Sequence, residues 1–170
     1  MRLSLLALAA GTLLAGNAFA AQTSGSFNVT ASVANSCKVT STSDIAFGPY
    51  DPAVANFSTA LDATGSVSVR CTRGTAADVA LNEGANKGGA STCAAPLRRM
   101  SDGGTERLGY EIYLDAAHTT AWGCDAANDQ PFTFAASNVP TTKTTYGSIP
   151  AGQDVAAGNF SDTVTVTVTF

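Results

Sequence analysis

The clearest pattern along the chain is at its carboxyl end, where apolar and polar residues alternate one by one. Val164, Val166, Val168 and Phe170 fall on one face of an extended segment, and threonines fall on the other. Period-2 alternation of β-branched and aromatic residues is typical of a half-buried strand. From Thr163 onward the segment has no charge, proline or glycine. An unpaired edge of this kind attracts foreign strands, so we expect this strand to be paired on both sides.

A second segment with the same alternation lies near the other end of the chain. Phe27, Val29, Ala31 and Val33 alternate with small polar residues, which predicts an amphipathic strand. Further short alternating or apolar runs occupy residues 64–72, 79–81, 97–100, 108–114, 132–134 and 141–146. Turn signals rich in glycine, proline, asparagine and aspartate separate these runs, and residues 21–170 show no helical period. The pattern predicts an all-β fold, an antiparallel β-sandwich.

The first twenty residues have the features of a secretory signal peptide. Arg2 supplies the positive start, residues 3–15 are mostly apolar, and Ala18-Phe19-Ala20 has the A-x-A form of a cleavage site. We predict cleavage after Ala20, which leaves 170 − 20 = 150 residues, the size of one domain. The apolar run is shorter than the roughly 20 residues that span a bilayer, so we expect no stable membrane insertion.

Four cysteines remain after that cleavage: Cys37, Cys71, Cys93 and Cys124. An even number in an exported chain predicts two disulfides in an oxidising compartment, and three pairings are possible. A metal site is not indicated, because there is no C-x-x-C pair and His118 is the single histidine. The formal net charge of −4 argues against binding to nucleic acid, which requires a basic face.

The sequence offers little that resembles catalysis. No serine lies in a G-x-S-x-G elbow, and cysteines committed to disulfides leave no nucleophilic thiol. We therefore predict no catalytic residues, no enzyme activity and no cofactor. Trp122 and the tyrosines suggest a sugar-stacking surface, although aromatic residues at strand spacing more often belong to a core or its rim.

Several short motifs, taken in order, carry a family resemblance. They are Phe47-Gly48-Pro49-Tyr50-Asp51, Cys71-Thr72, Arg99-Met100, the run 108–115 with Trp122-Gly123, the run 146–153, and the final residues 158–170. Together they resemble the spore coat protein U domain, the domain of Csu-type (archaic) chaperone–usher pilus subunits. The resemblance covers nearly the whole chain after the signal peptide.

This resemblance implies an immunoglobulin-like β-sandwich that lacks its final strand and has a hydrophobic groove beside the C-terminal strand. It implies that a periplasmic chaperone lends a strand to fill the groove. At an outer-membrane usher, the N-terminal segment of a neighbouring pilus subunit then replaces the chaperone strand. It also implies that Cys37–Cys71 is the common family disulfide, whereas Cys93 and Cys124 are less general, and their pairing with each other rests on the even count.

Within this scheme, Phe27, Val29, Ala31 and Val33 are the candidate donor side chains, and the alternating valines with Phe170 form the acceptor strand. Residues 21–34 are then a donor segment and residues 35–170 the sandwich domain. The alternative is that residues 27–33 form the first strand of their own domain.

The resemblance therefore implies a structural subunit of a pilus that supports adhesion and biofilm formation. Such a subunit is exported through the periplasm to the surface of a Gram-negative bacterium. The alternatives are a self-associating surface-coat protein and a secreted, non-enzymatic binding module.

Overall fold

The computed structural model describes residues 20–170, so the predicted signal peptide lies, except for Ala20, outside the described residues. The chain divides into two units, Met1–Ser32 and Val33–Phe170. In the described part of the first unit, residues 20–32 form no strand or helix and are exposed throughout. All the regular structure described below belongs to the second unit.

The second unit contains eight strands, and the described residues contain no helix. The strands are β1 (Cys37–Ser43), β2 (Leu61–Cys71), β3 (Ala76–Leu81), β4 (Arg98–Ser101), β5 (Arg107–Tyr113), β6 (Gln130–Thr133), β7 (Thr141–Ile149) and β8 (Val166–Thr169). They form a five-stranded sheet in the order β1-β2-β7-β5-β4 and a three-stranded sheet in the order β6-β3-β8. Every strand pair is antiparallel, which confirms the predicted antiparallel β class.

The alternation read from the sequence explains which side chains enter the core. In β5, Leu108, Tyr110 and Ile112 are buried while the residues between them are only partly covered. Val79 of β3 is fully buried in the same way. These inward faces of the two sheets, together with Trp122 from a loop, form one continuous core. A core of this kind is expected when two sheets each bury one face.

Two disulfides hold the sandwich, as predicted from the even cysteine count, and the chain has no free cysteine. Cys37 is bonded to Cys71, so the start of β1 is fixed to the end of β2. Cys93 is bonded to Cys124, which joins the long loop before β4 to the loop after β5. The connectivity is therefore the pairing of nearest neighbours along the chain.

Among residues 20–170, no helix is long and apolar enough to cross a membrane.

Candidate functional site

Within this chain, the C-terminal strand β8 is paired on one side only, so the second partner expected for it is not another described part of the same chain. Its partner is β3, with Ala80 opposite Thr167, and the Asn82 N–H donates to the Thr165 carbonyl at 3.0 Å. In an antiparallel pair, alternate residues turn their backbone groups toward the partner strand. The N–H and C=O groups of Val166 and Val168 therefore point away from β3, toward an edge that no described strand occupies.

A groove lies beside this open edge, between β8 and the last residues of β1 with the segment that follows them. We call it the β1–β8 groove. It consists of a cavity of about 370 Å³ and a second of about 810 Å³, which share Ile45, Phe47, Met100 and Phe160 in their walls. The floor is formed by apolar core side chains from both sheets, including Val67, Leu81, Leu108, Ile112 and Ile149.

One wall of the groove, the segment at residues 45–48, packs closely against two glycines. A Cβ atom on Gly147 would lie 2.7 Å from Ile45 Cγ2 and 2.8 Å from Phe47 Cζ. A Cβ atom on Gly65 would lie 2.9 Å from Ile45 Cγ1. Since real Cβ contacts are not this short, a side chain at Gly147 would force Ile45 and Phe47 to move, and one at Gly65 would also collide with the Ser43 backbone carbonyl. The apolar run at 45–48 therefore forms a wall of the groove.

The opposite wall is anchored by the carboxylate of Asp162, just before β8. Its Oδ2 accepts the Tyr110 hydroxyl at 2.8 Å, and its Oδ1 accepts the backbone and side-chain N–H groups of Asn86, both at 3.0 Å. Burial and the neighbouring Asp162 carboxylate both raise the pKa of Tyr110. The phenol therefore stays protonated and continues to donate, which holds the segment leading into β8.

Arg98 fixes the same region from inside the protein, where it is 1% exposed. Its guanidinium forms an ion pair with Glu111 and donates to the carbonyls of Leu81, Asn82 and Trp122 at 2.7–3.0 Å. Burial raises the pKa of Glu111, and the positive charge of Arg98 opposes that rise.

The Arg98 contacts also change how β8 begins. The main-chain carbonyl of Asn82 accepts from Arg98, and the Asn82 side-chain Oδ1 accepts the Thr165 N–H at 2.9 Å instead. One of the two main-chain bonds between Asn82 and Thr165 is therefore replaced by a side-chain bond, and β8 begins at the next residue, Val166. Sequence reasoning did not identify Arg98, because an Arg-Arg pair gives no signal that one member is buried.

A third set of contacts joins three of the motifs named in the sequence analysis, those at residues 47–51, 108–115 and 146–153. The Tyr50 hydroxyl donates to the Pro150 carbonyl at 2.9 Å and accepts the Gln153 N–H at 3.0 Å. The Gln153 side-chain amide bonds to the N–H and C=O of Gly109 at 2.7 and 2.8 Å. An amide group in this position takes the place of a neighbouring strand for β5, and it holds the far end of the groove in shape.

Three of the four predicted acceptor side chains pack against the core of the second unit, and the fourth is exposed. Val164, Val166 and Val168 are half-buried and pack against the core, and the first two line the groove. Phe170 follows the last residue of β8 and is 58% exposed. The predicted donor side chains are in water: Phe27, Val29 and Val33 are 84–87% exposed, and Ala31 is exposed too.

Two of the aromatic side chains named in the sequence analysis, Trp122 and Tyr110, belong to the core, the role that aromatic residues at strand spacing more often have. Trp122 is fully buried, and its indole N–H donates to the Val79 carbonyl at 2.8 Å. The Tyr110 hydroxyl is bonded to Asp162, and the partly exposed Tyr113 ring lies tilted against that of His118, with 4.8 Å between the ring centroids. No group of three or more potential metal ligands occurs within residues 20–170.

Comparison with known proteins gives the same architecture. The family model of the Spore Coat Protein U domain matches residues 23–167. Protein U of Myxococcus xanthus is 38% identical over 169 residues, covering 95% of this chain and 93% of that protein.

Among solved structures, the chain is similar to the chaperone–tip adhesion subunit pre-assembly complex CsuC–CsuE, from the archaic chaperone-usher Csu pili of Acinetobacter baumannii. The TM-score is 0.52 at 22% identity, and the match covers 81% of this chain and 40% of that one. This likeness supports the immunoglobulin-like sandwich predicted above. The family match and the Myxococcus relative together show that this chain belongs to the Spore Coat Protein U domain family.

Proposed function

We propose that this protein is a structural subunit of a surface fibre of the pilus type, in which the N-terminal segment of one copy completes the sandwich of another. The observation that carries the proposal is the open edge of β8 beside an apolar groove. The same chain leaves alternating apolar side chains in water at residues 27–33. An exposed apolar strand pattern and an unfilled apolar groove are complementary in chemistry.

An added strand would satisfy both the backbone and the side chains of the groove. The outward N–H and C=O groups of Val166 and Val168 would pair with its main chain, as in other cases of β-strand addition. Alternate residues of a strand are about 6.6–6.8 Å apart, so the four apolar donors span about 20 Å. Their burial would contribute roughly 5–8 kcal/mol before costs, at about 1.5–3 kcal/mol for each large side chain.

The proposal includes the partners that this assembly needs. A periplasmic chaperone would protect the groove before assembly, an outer-membrane usher would exchange its strand for the donor segment, and the fibre would lie at the cell surface of a Gram-negative bacterium. The similarity to a chaperone–subunit complex supports the first of these partners. We assign to the fibre a role in adhesion and biofilm formation, without enzyme activity.

A matched pair of substitutions tests the donor role in the full chain. Val29→Asp puts a charge on the apolar face of the donor segment, whereas Asn28→Asp puts the same charge on the polar face. We expect the wild type and Asn28→Asp to give a ladder of subunit multiples on gels run without boiling, and Val29→Asp to give monomer. If Val29→Asp gives an undiminished ladder, residues 27–33 are not the donor strand.

A second candidate function is a self-associating surface coat. The full-length match to Protein U and the name of the family favour it. The two candidates differ in what assembly requires. A coat protein would form the unboiled ladder from purified chain alone, whereas a chaperone–usher subunit would form it only after release from a chaperone.

A further inference from the structure

The proposed donor segment is joined to its own domain without a free linker. The Ala34 carbonyl accepts the Thr72 hydroxyl at 3.1 Å, and the Ser36 carbonyl accepts the Thr72 N–H at 2.9 Å. The chain is therefore fixed to the second unit one residue after Val33, the last donor side chain. A copy whose donor segment lies in another copy's groove must bring its own domain directly against the end of that groove.

The sandwich has two distinct ends, which we name by one residue each. The Cys37 end holds the turns 72–75 and 134–140, which are joined where the Gly74 N–H donates to the Phe134 carbonyl at 3.0 Å. The Phe57 end holds the β1–β2 connection and residues 150–160, joined where the Gly152 N–H donates to the Asn56 carbonyl at 2.8 Å. Strand β1 starts at the Cys37 end and runs toward the Phe57 end.

The direction of an added strand decides which end is covered. Strand β8 runs from the Phe57 end toward the Cys37 end, because it is antiparallel to β3, which starts just after the turn 72–75. Every strand pair in the sandwich is antiparallel. A donor strand that pairs with β8 in the same way runs from the Cys37 end to the Phe57 end, so its chain leaves the groove at the Phe57 end. The Cys37 end of the donating copy then meets the Phe57 end of the accepting copy.

The Phe57 end presents two exposed apolar side chains on a loop that the buried Asn56 side chain holds by hydrogen bonds. Val54 is 78% and Phe57 70% exposed. Asn56, only 5% exposed, fixes the loop: it accepts the Asp51 N–H at 2.9 Å and donates from its side chain to the Thr59 carbonyl at 3.0 Å. Two exposed apolar side chains on one short loop offer apolar surface for a second copy of this chain to cover.

The Cys37 end carries the complementary features. Val139, in the turn between β6 and β7, is 57% exposed. Three exposed basic side chains lie at this end beside one exposed carboxylate, Asp78, and exposed acidic side chains lie at the other end: Lys38, Arg70 and Arg73 against Asp44, Asp51 and Asp154. Opposite charges at the two ends favour one copy meeting another head to tail and disfavour like ends meeting.

We propose that Val139 of one copy packs against Val54 and Phe57 of the copy that accepts its donor segment, with the basic residues of the first facing the acidic residues of the second. This inference rests on the function proposed above. The contact is a head-to-tail one between unlike surfaces, which propagates along a fibre instead of closing into a dimer. It adds a second joint between consecutive copies, outside the groove, and limits the angle between them.

The test links the two ends in fibres made from the full chain. Phe57→Cys is combined with Val139→Cys, and the fibres are treated with a short bismaleimide reagent. We expect a ladder of subunit multiples that survives boiling in detergent. The control combines Leu97→Cys with Val139→Cys, because Leu97 is 49% exposed but lies at neither end. We expect at least tenfold less boiling-resistant ladder from this pair.

A second linked pair, Val54→Cys with Val139→Cys, is expected to behave like the first and guards against a folding defect at residue 57. The proposal is overturned if all variants form the unboiled ladder but neither test pair exceeds the control after boiling. It is also overturned if the new thiols link to a protein other than this chain. Absence of the unboiled ladder from the wild type would mean that the proposed function is wrong, and the inference would fall with it.

Discussion

A single buried guanidinium, that of Arg98, connects the two sheets beside the groove. Replacing it by Met would leave Glu111 without its partner and the carbonyls of Leu81, Asn82 and Trp122 without their donor. We expect Arg98→Met to lower the free energy of unfolding by about 3–5 kcal/mol, measured by urea titration. Arg70→Met, at an exposed site, should change it by less than about 0.5 kcal/mol. Equal losses for both variants would contradict the structural role of Arg98.

Tyr110 makes stability depend on alkaline pH. Its pKa is raised by burial and by Asp162, so above about pH 10 the unfolded chain loses the phenolic proton while the folded chain keeps it. The folded state then binds more protons, and stability must fall as pH rises. We expect the advantage of wild type over Tyr110→Phe to shrink by about 1 kcal/mol between about pH 10 and 11. A constant difference in urea titrations would show that Tyr110 ionises alike in both states.

Among the elements, β8 offers the sharpest test because its two faces alternate. Val166 lines the groove, whereas Thr167 is exposed on the other face. We expect Val166→Asp to abolish binding of a peptide with the sequence of residues 21–34, since a charge in the groove cannot be paired there. Thr167→Asp should reduce binding less than threefold. Binding by fluorescence anisotropy measures both, and equal effects would mean that the peptide does not enter the β1–β8 groove.

The elements also show what the sequence could and could not reveal. Alternation located β5 and β8 correctly because each buries one face in its own domain. The same alternation at residues 27–33 predicted a strand, but it pairs with nothing in the structure. A pattern records which face becomes buried and not which molecule buries it. The open edge of β8 has no sequence signal for the same reason, and the family resemblance supplied it.

Contacts between distant parts of the chain were the other limit. Nothing local distinguishes Arg98 from Arg99, or shows that a side chain at Gly65 or Gly147 would displace the segment at residues 45–47. These contacts arise only when the segment at residues 45–47 crosses the sheet. The two disulfides were predicted from the count of cysteines, and the pairing of Cys93 with Cys124 rested on that even count and not on any local signal.

For the molecule as a whole, the disulfides determine how much of the sandwich survives reduction. The bonded cysteines are 34 residues apart in the sequence in one disulfide and 31 in the other. In the chain-entropy model each contributes roughly 3–4 kcal/mol. We expect Cys93→Ser with Cys124→Ser to lower the free energy of unfolding by that amount, measured by urea titration. A loss below about 1 kcal/mol would show that the long loop before β4 is ordered without its covalent bond.

The absence of a linker after the donor segment has a mechanical consequence. In a fibre built as proposed, tension applied to one subunit enters its domain at Ala34 and reaches Cys37 within three residues. The bond to Cys71 passes that load covalently into β2, the longest strand, which is paired along both edges. Strand β1 therefore cannot separate from β2 one hydrogen bond at a time, beginning at Cys37. A pulled fibre should part first where the donor segment leaves the groove, and its subunits should remain folded until the Cys37–Cys71 bond is reduced.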